Sequence, residues 1–141
     1  MMKQFNKIIF LLVLVITSCN KNIKIGHECS YKKYEGKAII ISINNAPINE
    51  NNCPIDPKKV MFVFVPNDSN IKSHYIFKNW SDTAALTING GINPSQYFID
   101  SLQISIGKEY KCNRAEIFHG TCTPVLFQFE EINLNSSNGC R

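Results

Sequence analysis

The residues of this 141-residue chain best suited to covalent or metal chemistry are six cysteines and three histidines. His27-x-Cys29 and His119-x-x-Cys122 each set an imidazole close to a thiol. That pairing suits a metal ion, or a nucleophile with its base. Neither completes a four-ligand pattern, and the paired Cys-x-x-Cys spacings of a zinc site are missing, so no metal ligand is assigned. His119 and Cys122 share the turn "FHGTCTP", which offers no pocket for a substrate, so no catalytic residue is assigned. The carboxylates Glu130 and Glu131 adjoin near a strand end, where neighbouring side chains point to opposite faces and cannot share one substrate. The sequence has no glycine-rich phosphate loop, nucleophile elbow or helical His-Glu-x-x-His. Residues suited to binding are more visible. Lys32, Lys33 and Lys37 surround Tyr31 and Tyr34, and Trp80 is a platform of the kind that takes a sugar or a protein. Tyr34, Lys32, Lys33, Lys37 and Trp80 form the expected ligand surface.

These groups act wherever the N-terminus delivers them. Residues 8–16 are continuously apolar, preceded by Lys3 and Lys7 with no acidic residue. A positive start, a short apolar core and small residues after it match an export signal. The run is shorter than the roughly 20 apolar residues that cross a bilayer. Its last four residues, Ile16-Thr17-Ser18-Cys19, resemble the lipobox of bacterial lipoproteins. The resemblance covers this segment alone. It implies removal of residues 1–18, diacylglycerol on the Cys19 thiol, and often a third acyl chain on its amine. Two or more chains at about 0.8 kcal/mol per buried CH₂ give stable anchoring. The covalent lipid is the only attached group implied; no cofactor is. Residue 20 is Asn, so the resemblance leaves outer and inner membrane unresolved.

With Cys19 committed to lipid, five cysteines remain: Cys29, Cys53, Cys112, Cys122 and Cys140. An exported chain meets an oxidising compartment, so two bridges and one leftover thiol are expected. Cys112 and Cys122 flank a hairpin and form the expected pair. Cys29 with Cys140 would staple the ends of the domain, with Cys29–Cys53 as the competitor. Cys53 is the expected free thiol. Losing Lys3 and Lys7 lowers the formal charge from +4 to about +2, which excludes a nucleic-acid binder on charge.

The elements that must position these residues are mostly strands. Residues 19–28 read as a lipidated tether, and 29–141 as one β-rich domain. Strands are expected at 34–43, where Gly36 marks a bulge or close approach, and at 60–65 and 74–80. A short additional strand is expected at 84–88. Asn93-Pro94 reads as cap and first position of a helix over 95–102 that buries Tyr97, Phe98 and Leu102. A strand broken or turned near Asn113 follows over 108–117, then a last one over 125–132, alternating Val125, Phe127 and Phe129 against Leu126, Gln128 and Glu130. Residues 44–59, dense in Asn and Pro, form a long loop.

Three strands, a helix and two strands, with Ile104-x-x-Gly107-x-x-Tyr110 opening the fourth strand, resemble the OB-fold in order. The expectation is a mainly β chain: a small five- to six-stranded antiparallel barrel, with a β-sandwich as the alternative. The functional expectation is a membrane-anchored, non-catalytic binding module of the bacterial envelope, meeting an envelope protein or glycan. An envelope hydrolase, or an inhibitor of a secreted enzyme, is the alternative.

Overall fold

The computed structural model describes residues 29–48, 53–73 and 83–135. The expected leader, the expected lipidation site Cys19, the strand expected at 74–80 with Trp80, and Cys140 lie outside them. Five strands form one sheet: β1 (Ser30–Asn45), β2 (Lys58–Pro66), β3 (Thr83–Leu86), β4 (Glu109–His119) and β5 (Val125–Phe129). Among the described residues one helix, α1 (Gln96–Ser101), lies between β3 and β4. The sheet order is β3-β2-β1-β4-β5, and every neighbouring pair is antiparallel. All five strands share one sheet, so the sandwich alternative falls away.

β1 is the spine. Residues Ser30 to Ile39 pair with β4, and residues Gly36 to Asn45 pair with β2. The strand therefore belongs to both halves of the sheet, and it must coil where they overlap. Gly36 lies in that overlap, opposite Pro66 on one side and Cys112 on the other. A side chain there would collide with the carbonyl oxygen of Val65, and its Cβ would stand 2.6 Å from the Phe64 ring. The close approach expected from the sequence is what this glycine provides. Further along, a bulge between Ile40 and Ser42 resets the alternation. Tyr34, Ala38 and Ile40 face inward before it, and Ile43 packs on the core after it.

Alternation supplies the rest of the interior: Val60, Phe62 and Phe64 from β2, and Tyr110 and Cys112 from β4. Burying each large apolar side chain stabilises the fold by about 1.5–3 kcal/mol. Phe62 meets Phe127 and Phe129 edge-on, with ring centroids 5.0 and 5.3 Å apart. β2 and β5 are separated in the sheet by β1 and β4, so these contacts require the sheet to curl upon itself. The result is a curled half-barrel, the small barrel architecture expected from the strand order.

The short strand expected at 84–88 is present as β3, Thr83–Leu86. Other expectations need correction. β4 runs unbroken through Asn113, which pairs with Glu35 on one side and Gln128 on the other. The cap of α1 is Ser95, whose hydroxyl accepts from the Phe98 N–H at 3.1 Å, one step beyond Asn93-Pro94. Tyr97 is not buried but 80 % exposed; Phe98 and Ile99 point into the core, with Leu102 packed beside them. A six-residue helix turns only one face inward, and Tyr97 lies off it.

Candidate functional site

The side chains expected to form one ligand surface are divided by the pleat of β1. Lys33 and Lys37 lie on the outer face, whereas Lys32 and Tyr34 share the inward parity. Tyr34 is only 2 % exposed and belongs to the core, not to a surface. Lys32, near the open end of the strand, places its Nζ 5.2 Å from the Tyr34 ring centroid. Lys37 is committed elsewhere: its Nζ contacts both carboxylate oxygens of Glu109, at 2.9 and 2.8 Å. Trp80 lies outside the described residues.

The cysteines are redistributed as well. Cys29 is bonded to Cys122, joining the start of β1 to the β4–β5 turn across 93 residues. Cys112 cannot therefore pair with Cys122, nor Cys29 with Cys53 or Cys140. Cys112 is a free, buried thiol, since the inward alternation of β4 directs it into the core. Burial pushes its pKa up to about 12, partly opposed by a hydrogen bond with the Gln128 backbone. Cys53, expected to be free, is disulfide-bonded, and its partner lies outside the described residues. With Cys122 in a bridge, His119 has no thiol beside it to activate.

Two polar arrangements replace the expected surface. The first is an open groove of about 520 Å³ on the outer side of β1 and β4. Glu35, Lys37, Glu109, Lys111, Glu130 and Glu131 are the charged groups along it. Lys37 is paired with Glu109, and Lys111 approaches Glu130 at 3.9 Å. Among the described residues, four carboxylates against two ammonium groups leave the groove net negative. Glu130 and Glu131 line it together, contrary to the opposite-faces expectation, because β5 ends at Phe129 and the pleat no longer separates them. Among the described residues its lining contains no His, Cys or Ser. Hydrogen-bond donors and cations are the guests it favours.

The second arrangement was not read from the sequence. Arg114 and Glu116 continue the inward row of Tyr110 and Cys112, and are 2 % and 0 % exposed. Arg114 Nε stands 2.9 Å from Glu116 Oε1. The Ser73 hydroxyl donates to the same oxygen at 2.6 Å, and the guanidinium lies 5.8 Å from the Phe127 ring centroid. Removing two charges from water costs several kcal/mol per ion, which their attraction only roughly offsets. The pair is thus a poor source of net stability. It fixes which side chains meet, and it ties the segment after β2 to β4. Charged residues are rarely buried, which hides such a pair; the period-two row Tyr110, Cys112, Arg114, Glu116 was the available signal.

Exposed apolar side chains mark the two ends of the half-barrel. Near the end of β1, Ile55 and Tyr97 are 82 % and 80 % exposed. They flank the hydrogen bond from the Gln96 N–H to the Asp56 carbonyl, 3.0 Å, and Ile48 is exposed on the same β1–β2 loop. At the opposite end, Phe118 is 64 % exposed beside the Cys29–Cys122 bridge. No family model, curated protein or solved structure matches the chain.

Proposed function

We propose that the chain is an exported lipoprotein, anchored through acylated Cys19, whose half-barrel is a non-catalytic binding module of the bacterial envelope. The disulfides of Cys29–Cys122 and of Cys53 support an oxidising compartment. The apolar leader and the lipobox-like Ile16-Thr17-Ser18-Cys19 support the anchor. The observation that carries the binding role is the exposed apolar group Ile48, Ile55 and Tyr97. An isoleucine and a tyrosine left mostly in water beside a fixed backbone hydrogen bond suit the anchor residues of a protein interface. The group sits at the end of the barrel remote from Cys29, which a tether on Cys19 would hold away from the membrane.

Affinity capture from envelope extracts tests this reading. Wild-type protein should retain a defined partner, and Ile55→Asp with Tyr97→Asp should weaken its retention at least tenfold. Capture indifferent to both substitutions, or turnover of envelope glycans or peptides, overturns it. A mature N-terminus other than acylated Cys19, read by mass spectrometry, overturns the anchor.

A further inference from the structure

We infer that the Phe118 end of the half-barrel rests on the bilayer that holds Cys19, with the Phe118 ring at an anionic headgroup layer. The inference builds on the lipoprotein reading and adds an orientation and a lipid contact. Its first ground is the shape of the tip. Ser30 pairs with His119 but Tyr31 with Ile117, so Phe118 is the extra residue of a bulge. Bulges re-aim side chains, and this one leaves the Phe118 ring in water. Leu126 on neighbouring β5 is a second exposed apolar side chain. The tip is held firmly: Tyr31 Oη donates to the Thr123 carbonyl at 2.9 Å, and Gly120 packs against Cys29 too closely for any side chain.

The second ground is the length of chain between anchor and barrel. The Cys29–Cys122 bridge fixes the start of the domain to the β4–β5 turn. Nine residues, Asn20 to Glu28, lie between Cys19 and Cys29, which are ten residue steps apart. Even fully extended, ten residue steps reach no more than about 35 Å, so the end of the barrel that carries Cys29 and the β4–β5 turn stays within that distance of the lipid. Charge is the third. Lys32 and Lys33 are exposed at this end and have no acidic partner among the described residues. Lys21 and Lys24 stand on the tether against the single acid Glu28. The acidic groove begins only at Glu35, further along β1. An exposed aromatic ring at an end where Lys21, Lys24, Lys32 and Lys33 outnumber the single acid Glu28 is complementary to an anionic membrane surface.

The test uses the mature lipidated protein in vesicles of phosphatidylglycerol and phosphatidylethanolamine with brominated acyl chains. Trp80 is replaced by Phe, and a single Trp is placed either by Phe118→Trp or by Tyr97→Trp. Bromine quenching at position 118 should exceed that at 97 at least threefold, and Lys32→Glu with Lys33→Glu should reduce the difference. On the wild-type chain, amide exchange over residues 117–123 should slow on these vesicles relative to detergent micelles. Acylated protein with equal quenching at both positions, or with exchange unchanged, overturns the orientation alone. Protein that carries no lipid on Cys19 and fails to float with vesicles overturns the orientation together with the lipoprotein reading.

Discussion

Cys112 illustrates how one alternating position sets chemistry. Its thiol points into the core, and burial raises its pKa from 9.0 to about 12. The thiolate is the reactive form, so in the folded protein Cys112 should resist iodoacetamide at pH 8 and react only on unfolding, as a mass shift would show. Between pH 9 and 12 the unfolded thiol has lost its proton while the folded one keeps it, so stability falls as pH rises through that window. Cys112→Ala should flatten this alkaline loss, read as the change in urea midpoint between pH 9 and 11. Arg114 and Glu116 are the other residue-scale prediction. Arg114→Met alone leaves the Glu116 carboxylate buried beside an apolar side chain, and should cost about 3–5 kcal/mol. Adding Glu116→Leu should restore most of that loss in urea unfolding, because the double variant buries no uncompensated charge. A double variant as unstable as the single one would show that the contact with Ser73, not the ion pair, is what matters there.

Among the elements, β1 carries most of the architecture. It pairs with β2 and β4, and the two ladders overlap at Gly36, where the strand must coil tightly. Gly36→Ala places a methyl group against the Val65 carbonyl and the Phe64 ring. It should destabilise the fold by about 1–3 kcal/mol, in the range of overpacked cores, measured as a lower thermal or urea midpoint. β1 was legible from its β-branched residues and initial alternation, β2 from the continuous apolar run Val60 to Val65 closed by Pro66, and β5 from alternation. β3 was harder to read: Thr83, Ala84, Ala85 and Leu86 have small side chains and little contrast, so pairing with β2 defines the strand more than its own pattern does. The break expected at Asn113 rested on a turn-forming residue type. Hydrogen-bonded neighbours on both sides override that local preference.

For the whole molecule, the Cys29–Cys122 bridge closes the longest loop between described residues that any covalent bond closes. Removing it with Cys29→Ser and Cys122→Ser should cost about 3 kcal/mol and lower Tm by roughly 10 °C, seen by thermal melting without reductant. Full reduction of the wild type also opens Cys53's bridge and should bring its Tm to that of the variant or below. The candidate site was less legible than the fold. Lys32, Lys33, Lys37 and Tyr34 are neighbours in the chain, but the pleat sends them to different faces, and Glu109 claims Lys37. The acidic groove draws on residues from 35 to 131, and no local pattern joins them. The sequence by itself determined a mainly β chain, most of its strands, and a short helix before the fourth strand. These follow from periodicity and capping within a few residues. Which cysteines meet, which charges are buried and which apolar side chains stay in water were decided only by the tertiary structure. Those outcomes depend on strand register and curl, which bring together residues as distant as Cys29 and Cys122.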